Sequence, residues 1–241
     1  TRIDVILLAG LAAARVDWSA RHYKKHSTSC FVSVESHGRI LPNTDLDLSE
    51  VVGWLTRMYP VLLKLDDAHV VGVHQSDGVE GLVKHVKEQL RTVPDDGFYY
   101  PLLRHLDPDA PLSDNTPLLL FNYLGHIDRP VHHDGSPLSF DLDVMKAGDE
   151  PKMSLTHPIE FNCFTEEDSD GAPTFVVHCR WAPRLLADAE VHDLVMTWRS
   201  ALETMTQHTP ASSGFTPSDL SLLSLSQDEI DLIESAWKAS R

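Results

Sequence analysis

The stretch FVSVESHGRILP, residues 31–42, joins a strand pattern to a group of charged and polar side chains. Apolar and polar residues alternate through residues 29–36, which predicts a strand with one face in the core. Glu35 and His37 lie at the end of that strand, and Arg39 follows. A carboxyl group at the end of a buried strand has to be desolvated, paired or protonated. Desolvation raises the pKa of a carboxyl group toward neutrality, which is what a general acid or base requires.

The same stretch also permits a purely structural interpretation. Glu35 and Arg39 are close enough in sequence to form an ion pair at the strand end, and His37 could hold the same strand end through hydrogen bonds. Taken alone, the stretch favours this structural interpretation over catalysis. Other parts of the sequence are needed to decide between the two.

Composition and charge limit the classes of function. The chain has 241 residues, 42% of them hydrophobic and 23% charged, so we expect a substantial core and no extensive disorder. The formal net charge of −16 repels phosphate backbones and anionic lipids, so neither a nucleic-acid nor a membrane partner is expected. The three cysteines, Cys30, Cys163 and Cys179, lack metal-binding spacing, and their odd number favours reduced thiols in a cytoplasmic protein.

The apolar N-terminal stretch TRIDVILLAGLAAARVDW, residues 1–18, has some features of a signal peptide. Asp4 interrupts the region that is normally basic, and the apolar run is too short to span a bilayer. The helical spacing of its apolar residues predicts a helix instead. Because the chain begins with Thr1, we expect it to be a fragment or a processed chain.

Hydrophobic periodicity predicts one α/β unit over residues 1–241, with a mixed central sheet and helices packed on it. The polar stretches between the periodic segments are predicted loops, and none resembles a linker between independent domains. The predicted strands are 29–36, 116–125, 155–164 and 174–181, with two short extended pieces in 51–65. The predicted helices are 3–16, 77–90, 187–207 and a last helix after a capping box formed by Ser226 and Glu229.

Several common catalytic motifs are absent from the sequence. It contains no glycine-rich phosphate loop, no C-x-x-C pair, no H-E-x-x-H and no G-x-S-x-G, which argues against nucleotide hydrolysis, metalloproteolysis and serine hydrolysis. The histidine-containing stretches VHHDG, residues 131–135, and HQSDG, residues 74–78, both contain the turn dipeptide Asp-Gly. Turns are therefore favoured over a metal site, and no bound metal is expected.

Four segments occur in an order that is specific when taken together. They are ESHGR (35–39), VVGWLTRMYP (51–60), DGFYYPLLRHL (96–106) and FNYLG (121–125). In this order they resemble the C-terminal half of the epimerization domains of nonribosomal peptide synthetases. HPIEFN (157–162) and the tail GFTPSDLSLLSLSQDEIDLIE (214–234) also look like segments of that family, so the resemblance covers nearly the whole chain.

The resemblance implies a chloramphenicol acetyltransferase-like fold, in which two similar α/β lobes form a V with the active site in a tunnel between them. This chain matches only the second lobe, so residues 1–241 are expected to be the C-terminal lobe. The H-H-x-x-x-D-G motif of the family's first lobe is absent. An N-terminal lobe that carries this motif is therefore an expected partner.

The resemblance also implies a reaction. Inverting a Cα centre requires a proton to be taken from one face and returned to the other, and a thioester acidifies that proton by delocalising the carbanion into its carbonyl group. In the family, the two acid–base groups are a histidine of the missing motif and the glutamate that corresponds to Glu35. Glu35 is the predicted catalytic residue.

Three further residues are predicted to bind the substrate. Asn122 and Tyr123 match family residues that line the tunnel near the thioester, and Asn122 could donate a hydrogen bond to the enolate oxygen. Packing of Tyr123 in the core is the alternative for that residue. His37 is expected to hold the end of the strand rather than to move protons.

The function implied by the resemblance is conversion of an L to a D residue in an aminoacyl or peptidyl thioester on a peptidyl carrier domain. The phosphopantetheine arm belongs to the carrier, so we expect no cofactor bound by this chain itself. Ser36 and Ile40 depart from the family pattern, which leaves a condensation-type domain that forms peptide bonds, or a non-catalytic docking lobe, as alternatives. The isolated lobe is expected to be inactive.

Overall fold

The computed structural model describes residues 1–24, 27–72, 78–127, 154–167, 171–207, 214–220 and 222–239. These residues form five strands in one sheet, together with helices that pack on it. The strands are β1 (Ser29–Ser36), β2 (Arg57–Lys64), β3 (Leu119–Ile127), β4 (Ile159–Glu167) and β5 (Pro173–Trp181). The helices are α1 (Ile3–Tyr23), α2 (Asp67–Gly72), α3 (Val79–Arg91), α4 (Tyr99–Leu106), α5 (Asp188–Gln207) and α6 (Gln227–Ala239), with short 3-10 turns at Pro94–Gly97 and Pro217–Leu220.

The sheet is mixed, with strand order β2-β1-β3-β4-β5. The three central strands β1, β3 and β4 run parallel, and each edge strand is antiparallel to its neighbour. The central strands are separated by long crossovers in the sequence, as parallel pairing requires. Their carboxyl ends therefore meet at one edge of the sheet, and Glu35 lies at that edge.

One face of the sheet packs into the hydrophobic core. Because side chains alternate along a strand, every second residue of each strand points to this face. Helices α1 and α5 pack antiparallel to each other beside this face: the Trp18 indole N–H donates to Glu190 O at 2.8 Å, and the Trp198 indole N–H donates to Leu7 O at 3.0 Å. The strand residues in this core include Val32, Val61, Leu63, Leu119, Phe121, Ile159, Phe161 and Cys163.

The mixed sheet with packed helices confirms the predicted α/β architecture. The predicted strand 29–36 is observed with these bounds, and the predicted helices at 77–90 and 187–207 agree with α3 and α5 to within two residues. Helix α1 continues seven residues beyond the predicted end, to Tyr23. The predicted turn at 131–135, and residues 74–77 of the predicted turn at 74–78, lie outside the described residues.

The prediction of two short extended pieces in residues 51–65 was wrong. Residues 51–56 form no strand, and β2 runs without interruption from Arg57 to Lys64 through Pro60. Proline is tolerated there because β2 is an edge strand of the sheet. On the side of an edge strand that pairs with no other strand, a missing N–H group removes no hydrogen bond between strands.

The last helix begins as its capping box predicts. Ser226 Oγ donates to the Glu229 carboxylate at 2.9 Å, and the same carboxylate accepts the backbone N–H of Ser226 at 2.8 Å. Among the helices of the described residues, none is long and apolar enough to span a membrane.

Candidate functional site

The second face of the sheet carries most of its polar side chains. We call it the polar face and define it by Ser33, Glu35, Asn122, Glu160, Asn162, His178 and Arg180. Leu120 and Phe164 also lie on it and are buried, and the Phe164 ring meets the edge of the His178 ring at a centroid distance of 5.4 Å. The polar face is therefore partly desolvated, which strengthens the electrostatic interactions of its charged groups.

Glu35 lies on the polar face at the carboxyl end of β1, where it is half-buried. It pairs with Met58 of β2, so an apolar side chain lies beside it on that strand. Burial raises the pKa of the Glu35 carboxyl above its ordinary value, and the negative charge of Glu160 raises it further. A carboxyl group whose pKa is raised keeps its proton to higher pH than a solvated carboxyl group does, which suits a general acid.

Asn122 is brought next to Glu35 by the parallel pairing of β1 with β3. That pairing runs as far as Val34 and Phe121, and Glu35 and Asn122 are the next residues of the two strands. The Asn122 side-chain amide donates to Asn162 Oδ1 of β4 at 3.1 Å, which orients it. An asparagine amide has two N–H groups, so the second can serve a substrate oxygen.

Tyr123 and His37 are placed elsewhere. Tyr123 points to the opposite face of the sheet, where it packs against the core and its hydroxyl lies 3.1 Å from Thr165 Oγ1. His37 is exposed beyond the strand end, and its Nδ1 accepts the backbone N–H of Arg39 at 3.1 Å. The structure thus brings Glu35 and Asn122 together and separates the other two predicted residues from them.

Arg39 does not form the ion pair that the structural interpretation proposed. Its guanidinium donates to the carbonyl oxygens of Leu48 and Val51, at 2.7 and 2.8 Å, and so closes the loop that follows β1. In the described part of the chain, the Glu35 carboxylate has neither an ion-pair nor a hydrogen-bond partner. Glu35 is therefore not neutralised by Arg39.

The turn after Glu35 depends on a glycine. Gly38 has φ +66, and a Cβ atom built on it would lie 1.7 Å from the carbonyl oxygen of Leu55. That region of φ is costly for other residues, and a backbone oxygen cannot give way as a side chain can. Gly38 therefore allows the chain to turn from β1 into the loop that Arg39 closes.

We expect Gly38→Ala to destabilise the protein by about 1–3 kcal/mol or more, because the new Cβ adds steric overlap to an unfavourable φ. Gly53→Ala is the matched control, since a Cβ there meets no atom within 4 Å. We expect the control to change the stability by less than about 0.5 kcal/mol. Urea titrations of the two variants give both values, and equal stabilities would contradict the assigned role of Gly38.

A buried polar network behind the site was not predicted from the sequence. His157 is buried, and its Nε2 lies 2.8 Å from Ser33 Oγ while its Nδ1 lies 2.9 Å from Thr156 Oγ1. Burial lowers the pKa of His157, which favours a neutral imidazole. Glu160 Oε1 accepts the Thr156 backbone N–H at 2.8 Å, the Thr156 hydroxyl at 2.9 Å and the His157 backbone N–H at 3.3 Å.

One feature of the sequence could have revealed this network. Glu160 stands between Ile159 and Phe161 in a strand whose neighbours are apolar, which is the same pattern that distinguishes Glu35. In the described parts of the chain, no three side chains of His, Cys, Asp or Glu are grouped as they would be around a metal ion.

Comparison with known proteins relates the chain to large synthases. No protein-family model matches it. One component of the linear gramicidin synthase of Brevibacillus parabrevis is 31% identical over 239 residues, which cover 96% of this chain and 4% of that protein. Surfactin synthase subunit 2 of Bacillus subtilis strain 168 is 30% identical over 247 residues, which cover 99% of this chain and 6% of that protein. The chain therefore spans only a small part of the relatives it matches.

A solved structure shows the same fold. The epimerization domain from the third module of tyrocidine synthetase B superposes with a TM-score of 0.62 at 24% sequence identity, over 86% of this chain and 43% of that chain. This chain shares the fold of the part of that domain that it matches. The mixed five-stranded sheet with packed helices confirms the predicted chloramphenicol acetyltransferase-like architecture, and the relatives confirm the coarser resemblance to nonribosomal peptide synthetases.

Proposed function

We propose that this chain is the C-terminal lobe of an epimerization domain, which converts the L to the D configuration in an aminoacyl or peptidyl thioester held by a carrier domain. The observation that supports this function best is the position of Glu35, a half-buried carboxyl with a raised pKa at the end of β1. It lies on the polar face of the sheet, outside the packed core.

The proposed reaction moves one proton off Cα and one proton back. A base takes the Cα proton from one face, and the electron pair of the C–H bond delocalises into the thioester carbonyl to form an enolate. An acid on the opposite face then returns a proton to Cα, and the configuration is inverted. Cα loses one proton and regains one proton, so no electrons are gained or lost and the reaction needs no redox cofactor. The thioester bond to the phosphopantetheine arm of the carrier stays intact throughout.

Glu35 is proposed as one of these two groups, and its raised pKa suits the acid. Asn122, the next residue across the sheet, is proposed to donate its second amide N–H to the enolate oxygen. The hydrogen bond to Asn162 holds that amide in place, so it does not have to reorganise as negative charge develops.

The second acid–base group is proposed to come from outside this chain. The chain spans 43% of the solved epimerization domain that it resembles, which leaves room for another lobe of similar size. That lobe, with an H-H-x-x-x-D-G motif, and a peptidyl carrier domain are the proposed partners. Each would approach the polar face, where Glu35 and Asn122 lie.

Deuterium exchange tests this function directly. The complete domain is mixed in deuterated water with a carrier domain loaded with an L-aminoacyl thioester, and the amino acid is then released and examined by chiral chromatography and mass spectrometry. We expect deuterium at Cα together with the D isomer. Amide formation between two loaded carriers without Cα exchange would assign a condensation function, and the absence of both reactions would favour a docking lobe.

A further inference from the structure

We propose that Glu160 is a positioning residue for the acid–base site, and that its buried carboxylate acts on Glu35 as a fixed like charge across the polar face. This inference rests on the proposed function of Glu35, but the contacts that support it involve no substrate. Glu160 itself is buried and is not expected to touch the thioester.

The sheet places the two carboxyl groups on the same face. Glu160 of β4 pairs with Leu120 of β3, which in turn pairs with Ser33 of β1. Glu35 lies two residues beyond Ser33, so its side chain points to the same side. Two strand spacings of about 4.8 Å separate the backbones of β1 and β4. The side chain between them, Leu120, is apolar and buried, so it provides little electrostatic screening between the two carboxyl groups.

Glu160 is held where it is by its own segment. Three donors, from Thr156 and His157, converge on Glu160 Oε1, which supplies the hydrogen bonds that a buried carboxylate needs. His157 is tied in turn to Ser33 of β1 at 2.8 Å, so the network bridges β1 and the start of β4. The Glu160 charge is therefore kept at a defined place relative to Glu35.

Other charged, titratable and polar groups lie around Glu35 and Glu160. Arg180 faces Glu160 from β5, one strand farther from Glu35, and His178 lies two residues before it. From β2, the guanidinium of Arg57 donates to the carbonyl oxygens of Ile40 and Asp95, and β3 contributes the uncharged Asn122. Among the described residues of the polar face, Glu160 is thus the charged group that raises the proton affinity of Glu35.

An NMR titration of the full-length protein, labelled with 13C at the glutamate side-chain carboxyl carbons, tests the inference without substrate. In Glu160→Gln, we expect the Glu35 resonance to titrate at lower pH than in the wild-type protein, because a like charge has been removed. Glutamine keeps the Oε1 acceptor and the size of the side chain. Glu203→Gln, which removes a charge from the surface of α5, is the matched control and should leave the Glu35 titration in place.

A second neutral variant keeps the test decisive if Glu160→Gln does not fold. Glu160→Met also removes the negative charge and fills a similar volume, so the Glu35 resonance should again titrate at lower pH than in the wild-type protein. The resonance missing from Glu35→Gln assigns the Glu35 signal. Unchanged titration of Glu35 in the neutral variants of Glu160 would overturn the inference. If the wild-type complete domain shows no Cα exchange in the deuterium experiment while the Glu35 titration still shifts, only the proposed function is rejected.

Discussion

Replacing Glu35 with glutamine is expected to slow Cα inversion and Cα deuterium exchange by about 10²–10⁴-fold in the complete domain, the usual contribution of a general acid or base. Glutamine has nearly the size of glutamate but cannot deliver a proton to the carbanion. The carboxyl is half-buried, and no cation in the described part of the chain pairs with it, so no ion pair is lost in the exchange. The measurement is the initial rate of deuterium incorporation into a carrier-bound thioester.

The stability of this variant separates a chemical effect from unfolding. A carboxyl whose pKa is raised in the folded state stabilises the fold below its ordinary pKa, and this contribution is lost as the pH rises through the raised value. At pH 7 to 8 the substitution Glu35→Gln should therefore leave the thermal midpoint unchanged or raise it. Glu203→Gln should retain the wild-type rate, and a wild-type rate in Glu35→Gln would reject the assigned role.

Trp198→Ala is expected to cause the largest loss of stability, about 3–5 kcal/mol, as is typical when a large buried aromatic side chain is removed. Trp198 is 1% exposed, and its indole N–H donates to Leu7 O at 3.0 Å. Its ring meets Phe121 of β3 and Phe161 of β4 in edge-to-face contacts, with centroids 6.3 and 5.2 Å apart. The free energy of unfolding from urea titration measures the loss.

An exposed tryptophan provides the control for that measurement. Trp54 is 87% exposed, so we expect Trp54→Ala to change the free energy of unfolding by less than about 0.5 kcal/mol. A similar loss in both variants would mean that Trp198 is not a central core residue. Phe121 directly precedes Asn122 on β3. We therefore also expect Trp198→Ala to loosen the core packing on the side of the sheet opposite Asn122.

Much of the fold could be predicted because its signals are local. The alternation in residues 29–36 and the helical spacing of α3 and α5 are each contained within one element, and each was observed. The extended pieces predicted around Pro60 were not, because whether proline ends a strand depends on the strand's position in the sheet. Edge position is set by the order in which distant strands pair, which no local window of sequence contains.

The candidate site shows the same division. The sequence by itself determined that a carboxyl group ends β1 and that Asn122 and Tyr123, as neighbours on a strand, point to opposite faces. Only the tertiary structure decided which of the two faces the core, since that follows from the pairing of β1 with β3. It also decided that Glu160 shares a face with Glu35, because β4 is more than a hundred residues away along the chain and its distance from β1 is set by strand order and register alone.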